Sequence, residues 1–126
     1  MADETFDVWR IYTGEDGKSR MEPIGIPLGP IAHGAVSKLL AGPGVTIRRM
    51  PASLEAEWHN APRRQLIATI IGEGEVETGD GQILVTRPGV ITVVEDLEGV
   101  GHLTRGRGTE DRICLFVPLN DDTKLV

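Results

Sequence analysis

The chain has 126 residues, with 13 Lys+Arg against 19 Asp+Glu for a net charge of −6, three His and one Cys. An acidic chain without a long basic cluster repels phosphate backbones, so nucleic acid is not an expected partner; one Cys excludes an internal disulfide and every multi-Cys zinc motif. No apolar run reaches the ~20 residues of a membrane span, and Asp3, Glu4, Asp7 and Arg10 stand where a signal peptide needs an apolar stretch, so a cytoplasmic protein without membrane contact is expected.

Val, Ile and Thr fall in short runs separated by Gly, Pro and Asp, the pattern of strands and turns. In chain order the predicted strands are residues 6–12, 20–27, 35–40, 45–50, 65–71, 73–78, 82–86, 90–94, 101–105 and 112–118. The clusters between them form turns, and Asp80-Gly81 is the clearest hairpin signal. The best helical candidate, residues 35–41, spans only seven positions and reads equally well as a strand. Ten short, regularly spaced strands predict one all-β domain over residues 1–126, either a closed antiparallel barrel or a two-sheet jelly roll. Residues 120–126 read as a frayed tail.

The densest polar stretch within this pattern is Trp58-His59-Asn60-Ala61-Pro62-Arg63-Arg64-Gln65. Strand alternation puts His59, Ala61, Arg63 and Gln65 on one face, so Arg63 rather than Arg64 should reach a cavity unless Pro62 bulges the chain. A second polar stretch, residues 94–105, leaves a strand through Glu95-Asp96, crosses a Gly-rich loop and re-enters a strand at His102. Glu95 and Asp96 read more as a solvated turn than as a catalytic pair. Cys114 alternates with Ile113 and Leu115 and reads as a buried small hydrophobe. His33, in a Gly/Pro-rich segment, reads as an ordinary loop residue.

These two stretches resemble a small single-domain cupin, and in particular one bacterial subgroup. His59, Ala61, Gln65 and Gly72 stand at the spacings of the family's first motif; Pro88-Gly89, the strand to Val94, and His102 follow the order of its second. The resemblance covers about residues 45–119 and implies a cupin-type antiparallel β-barrel (jelly roll), with residues 1–34 as N-terminal strands and loops outside the barrel core. It also implies a small-molecule pocket, for which the expected lining is His59, Arg63, Gln65, Glu95 and His102. Metal-binding cupins use three His and one Glu. Here Ala61 and Gln65 replace two of them, leaving His59, Gln65 and His102 as an incomplete set for Fe, Mn, Ni or Zn, so that no tightly bound metal is the expectation.

The function expected is binding of a small carbonyl- or carboxylate-containing metabolite. Acid–base chemistry of the isomerase, lyase or cyclase type would run on His59, His102, Arg63 and Glu95. Gln65, Trp58 and Arg64 are the further ligand-binding candidates, although Trp58 also fits a core or interface aromatic. A metal-dependent dioxygenase and a ligand-binding module without turnover are the alternatives. A homodimer is expected, because the N-terminal strands lie outside the barrel and an unpaired edge is usually covered.

Overall fold

A computed structural model describes residues 4–126. The strands are β1 (Glu4–Thr13), β2 (Ser19–Ile31), β3 (Gly34–Val36), β4 (Thr46–Met50), β5 (Gln65–Ile71), β6 (Glu73–Glu77), β7 (Ile83–Thr86), β8 (Ile91–Val94), β9 (Leu103–Arg107) and β10 (Arg112–Pro118). No helix occurs among the described residues, so none is long and apolar enough to cross a membrane. The strands form a seven-stranded sheet in the order β3-β2-β1-β8-β5-β10-β4 and a three-stranded sheet in the order β7-β6-β9. The expected closed antiparallel barrel is not found: both sheets are open, and β1 runs parallel to β8.

Another correction concerns the N-terminal strands, which do not lie outside the core. β1 pairs with β2 over ten positions and with β8, making it an inner strand of the large sheet. Residues on both sheet faces are buried. Val8 and Val93 join Ile26, Leu119 and Leu125 in one apolar cluster, whereas Ile11 and Val94 join Met21, Ala61 and Val76 in another. Adjacent strand residues point to opposite faces, so Val93 and Val94 serve the two clusters in turn. Each fully buried aliphatic side chain contributes about 1.5–3 kcal/mol.

The tail is not frayed. Leu125 is buried in the first cluster, and the Thr123 hydroxyl donates to the Ala41 carbonyl at 2.6 Å. The predicted strand at 35–40 contracts to β3, since only Gly34–Val36 find ladder partners on β2. The Asp80-Gly81 signal holds: β6 and β7 pair antiparallel, and Asp80 accepts from the Thr78 hydroxyl at 2.6 Å and the Gln82 side-chain amide at 2.7 Å.

The second cluster lies between the sheets. Across the large sheet the register places Ile11, Val94 and Gln65 in one row, Thr92, Ile67 and Phe116 in the next, then Thr69, Cys114 and Arg48, and finally Arg112 and Met50. Residues 54–60 leave the large sheet and run beside β9 through the bridges Glu55↔Arg105 and His59↔His102. A cavity remains between these layers.

Candidate functional site

The cavity has a volume of about 390 Å³, within the usual range for small-molecule sites. Its walls come from both sheets, with Val76, Thr86 and Thr104 of the small sheet facing the rows just described, and from residues 54–62. His59, Gln65 and His102 line it. Arg63, Arg64, Glu95 and Trp58 do not.

His102 enters the wall from Gly101. The positive φ of Gly101, 79°, is one that side-chain-bearing residues rarely adopt, and a Cβ there would sit 2.2 Å from the carbonyl oxygen of His59. That close approach allows His59 and His102 to exchange both backbone hydrogen bonds at 2.9 Å. Their rings consequently face each other at 4.6 Å with a 58° tilt. His59 is exposed at the rim, whereas His102 is only 5% exposed.

Behind His102 stands Asp96, whose side chain is fully buried. The ring Nδ1–H of His102 donates to Asp96 Oδ2 at 2.6 Å, since a carboxylate oxygen can only accept. Nε2 is therefore the ring nitrogen left for the cavity. The second oxygen, Asp96 Oδ1, is buried without a hydrogen-bond partner, so His102 is the only side chain among the described residues that bonds this carboxylate. The solvated turn expected for Asp96 does not form. Asn60 and the backbone N–H of Ala61 both donate to the Asp96 carbonyl and hold the loop inward.

Glu95 takes the other direction. It does not line the cavity as expected, because alternation from Val94 turns it to the opposite sheet face. There Arg10 Nε and Arg64 Nε each donate to it at 2.6 Å. Burial pushes the Glu95 carboxyl upward, but the hydrogen bonds from Arg10 and Arg64 outweigh this and hold it below its ordinary value. Arg64 also donates from Nη1 to the carbonyls of Asn120, Asp121 and Thr123, which ties down the tail.

The expected cavity position of Arg63 fails for a different reason. Strand alternation stops at Gln65, and the bend at Pro62 and Arg63 leaves that side chain exposed. Trp58 is also exposed, 42% by area, and lies outside the cavity lining.

Several polar cavity residues were not sequence candidates, Arg48, Thr86 and Arg112 among them. Arg112 is 7% exposed and lines the cavity at the end of the floor opposite Gln65. Its Nε donates to the Thr69 hydroxyl at 3.3 Å, and no carboxylate pairs with it among the described residues. Burial pulls its pKa below the ordinary arginine value, yet a guanidinium stays charged at neutral pH. The signal for it was present, since Arg112 stands two residues before Cys114 and so shares its buried face.

The metal set that the sequence resemblance implies would rest on His59, Gln65 and His102. The Nδ1 of each His is already committed, to Glu57 O at 2.7 Å and to Asp96 at 2.6 Å. What remains is two neutral imidazole nitrogens and an amide, and no group of three or more His, Cys, Asp or Glu converges among the described residues. Such a donor set carries no charge to offset a divalent ion and does not fit one held tightly.

Comparison with models of known protein families returns no match for the chain, and a search of curated proteins returns none.

Proposed function

We propose that this protein is a cupin-like, jelly-roll protein that binds a small carbonyl compound and moves a proton on it without redox chemistry, as an isomerase, lyase or cyclase does. The observation that carries this reading is the buried Asp96–His102 pair on the wall of a largely apolar cavity. His102 Nε2 takes a proton from the carbon or hydroxyl beside the ligand's carbonyl. The Asp96 carboxylate, bonded to Nδ1, stabilises the imidazolium as it forms and keeps the ring oriented. The Gln65 amide N–H donates to the carbonyl oxygen, where negative charge develops. Return of the proton from Nε2 to a different atom completes an isomerisation. The cupin motif positions His59, Gln65 and His102 all lie on this cavity, which supports the family reading. The proposal includes a homodimer through the open β4 edge, where Ile47 and the preceding Val45 are exposed.

Incubation with enolisable aldehydes, ketones and oxo acids in D₂O tests the chemistry without knowledge of the full reaction. The wild type should catalyse solvent exchange at the carbon beside the carbonyl of at least one compound. His102→Gln should slow that exchange by about 10²–10⁴-fold. Binding without exchange across the panel would instead make the protein a ligand-binding module.

A further inference from the structure

The positive end of the cavity is unexplained by the dyad. The cavity lining contains Arg48 and Arg112 and no Asp or Glu, in a chain whose net charge is −6. Arg48 stacks its guanidinium 4.0 Å over the Phe116 ring, and it makes no ion pair among the described residues. Arg112 is the more demanding case. A buried charge without a counter-ion is costly, and its Thr69 bond uses one of five N–H donors.

Beside it lies a second unpartnered group. Thr86 is 3% exposed, lines the cavity, and its hydroxyl has no hydrogen-bond partner. Arg112 Nη1 and Thr86 Oγ1 converge over Gly74: a Cβ on Gly74 would stand 3.0 Å from the first and 3.1 Å from the second. The bare backbone of Gly74 lets both side chains close on it, with the Arg105 carbonyl oxygen equally near that Cβ position at 3.0 Å.

We infer that Arg112 and Thr86 form a subsite for the carboxylate of an acid whose apolar body lies along the cavity toward His102. The inference rests on the reading of the cavity as a ligand site and names the class of its ligand. One carboxylate balances one buried guanidinium and accepts from its fork and from the hydroxyl together. A phosphate dianion would bring a second charge, and the only other cation in the lining is the stacked, solvent-exposed Arg48. Gly106 pairs with Gly74 on β6, and His102 lies four residues back along the chain, roughly 13 Å at the rise of a strand. Ile67, Val76 and Phe116 line the cavity as well, so the ligand's middle is apolar. The cavity volume matches roughly a dozen waters, which suits an acid of about that many non-hydrogen atoms.

The test is titration of the full chain with hexanoate, hexanamide and inorganic phosphate, followed by NMR of the arginine Nε–Hε signals. Hexanoate should bind saturably below roughly 50 mM and shift the Arg112 signal, with hexanamide and phosphate at least about tenfold weaker. Arg112→Met should weaken hexanoate about tenfold or more, and Thr86→Val about threefold. Should Arg112→Met fail to fold, Arg112→Lys keeps the charge but loses the fork, and should bind hexanoate several-fold more weakly. Arg63→Ala, at an exposed position outside the cavity, should leave hexanoate binding within about twofold. Hexanamide or phosphate binding as well as hexanoate overturns the carboxylate assignment; so does indifference to both Arg112 substitutions, or no saturation by hexanoate. If the Arg112 variants bind normally while His102→Gln abolishes deuterium exchange, the subsite is wrong and the dyad stands. If hexanoate needs Arg112 but no compound exchanges, the subsite stands and the acid–base chemistry is wrong.

Discussion

Glu95 and Asp96 are consecutive acids at the exit of β8, and the seven-stranded sheet separates what they do. Glu95 turns to the face away from the cavity, where two arginines from β1 and from the segment before β5 hold it between them. Asp96 turns inward, loses all solvent contact and bonds a single histidine on the cavity wall. The first carboxylate has more cationic donors than it needs and joins the tail, the N-terminal strand and the sheet. The second has one partner and one orphaned oxygen. A saturated ion cluster has little left to offer a ligand, whereas an under-paired carboxylate behind an imidazole concentrates its effect on that ring.

Substitutions that break the inner region should cost the most. Gly101→Ala forces a Cβ against the His59 backbone at a positive φ, and should lower stability by about 3 kcal/mol in urea denaturation. Asp96→Ala leaves the His102 N–H buried without an acceptor and should cost about 2 kcal/mol by the same measurement. Glu95→Gln should cost about 1 kcal/mol, because its arginines are partly solvated, and should leave the cavity's ligand affinity unchanged in titration.

The outer cluster has its own pH signature. The folded-state pKa of Glu95 is depressed, so its contribution is complete above the unfolded value of about 4.3 and is lost as pH falls through the lower folded value. Denaturation between pH 6 and 2 should therefore show a shallower acid loss in Glu95→Gln than in the wild type. Arg63→Ala should be the smallest change, within about 0.5 kcal/mol and without effect on ligand binding, since the side chain is exposed and outside the cavity.

Much of this architecture was legible in the chain. Strands 65–71 and 112–118 were read at their observed bounds because Gly, Pro and charged residues frame short runs dominated by apolar residues, Ile, Leu and Val among them. The Trp58–Gln65 stretch also contains two cavity residues, His59 and Gln65, that alternation grouped with Arg63 and that the cupin resemblance implied as site residues. Alternation says that Glu95 and Asp96 part company, but not which one goes inward. That choice depends on Val94 belonging to the inter-sheet cluster, a tertiary fact. Arg63 was misplaced because parity was carried through Pro62, where no strand exists. The inner-strand role of residues 4–31 was not readable either, because parallel pairing of β1 with β8 joins segments some eighty residues apart.

The orientation of the His102 ring tests the central claim most directly. Nitrogen-15 NMR of the imidazole side chains reports which ring nitrogen carries the proton in the neutral ring. The Asp96–His102 pair requires His102 with the proton on Nδ1 and a bare Nε2, and Asp96→Ala should remove that preference. A wild-type His102 protonated at Nε2, or one whose tautomer ignores the loss of Asp96, would contradict the account.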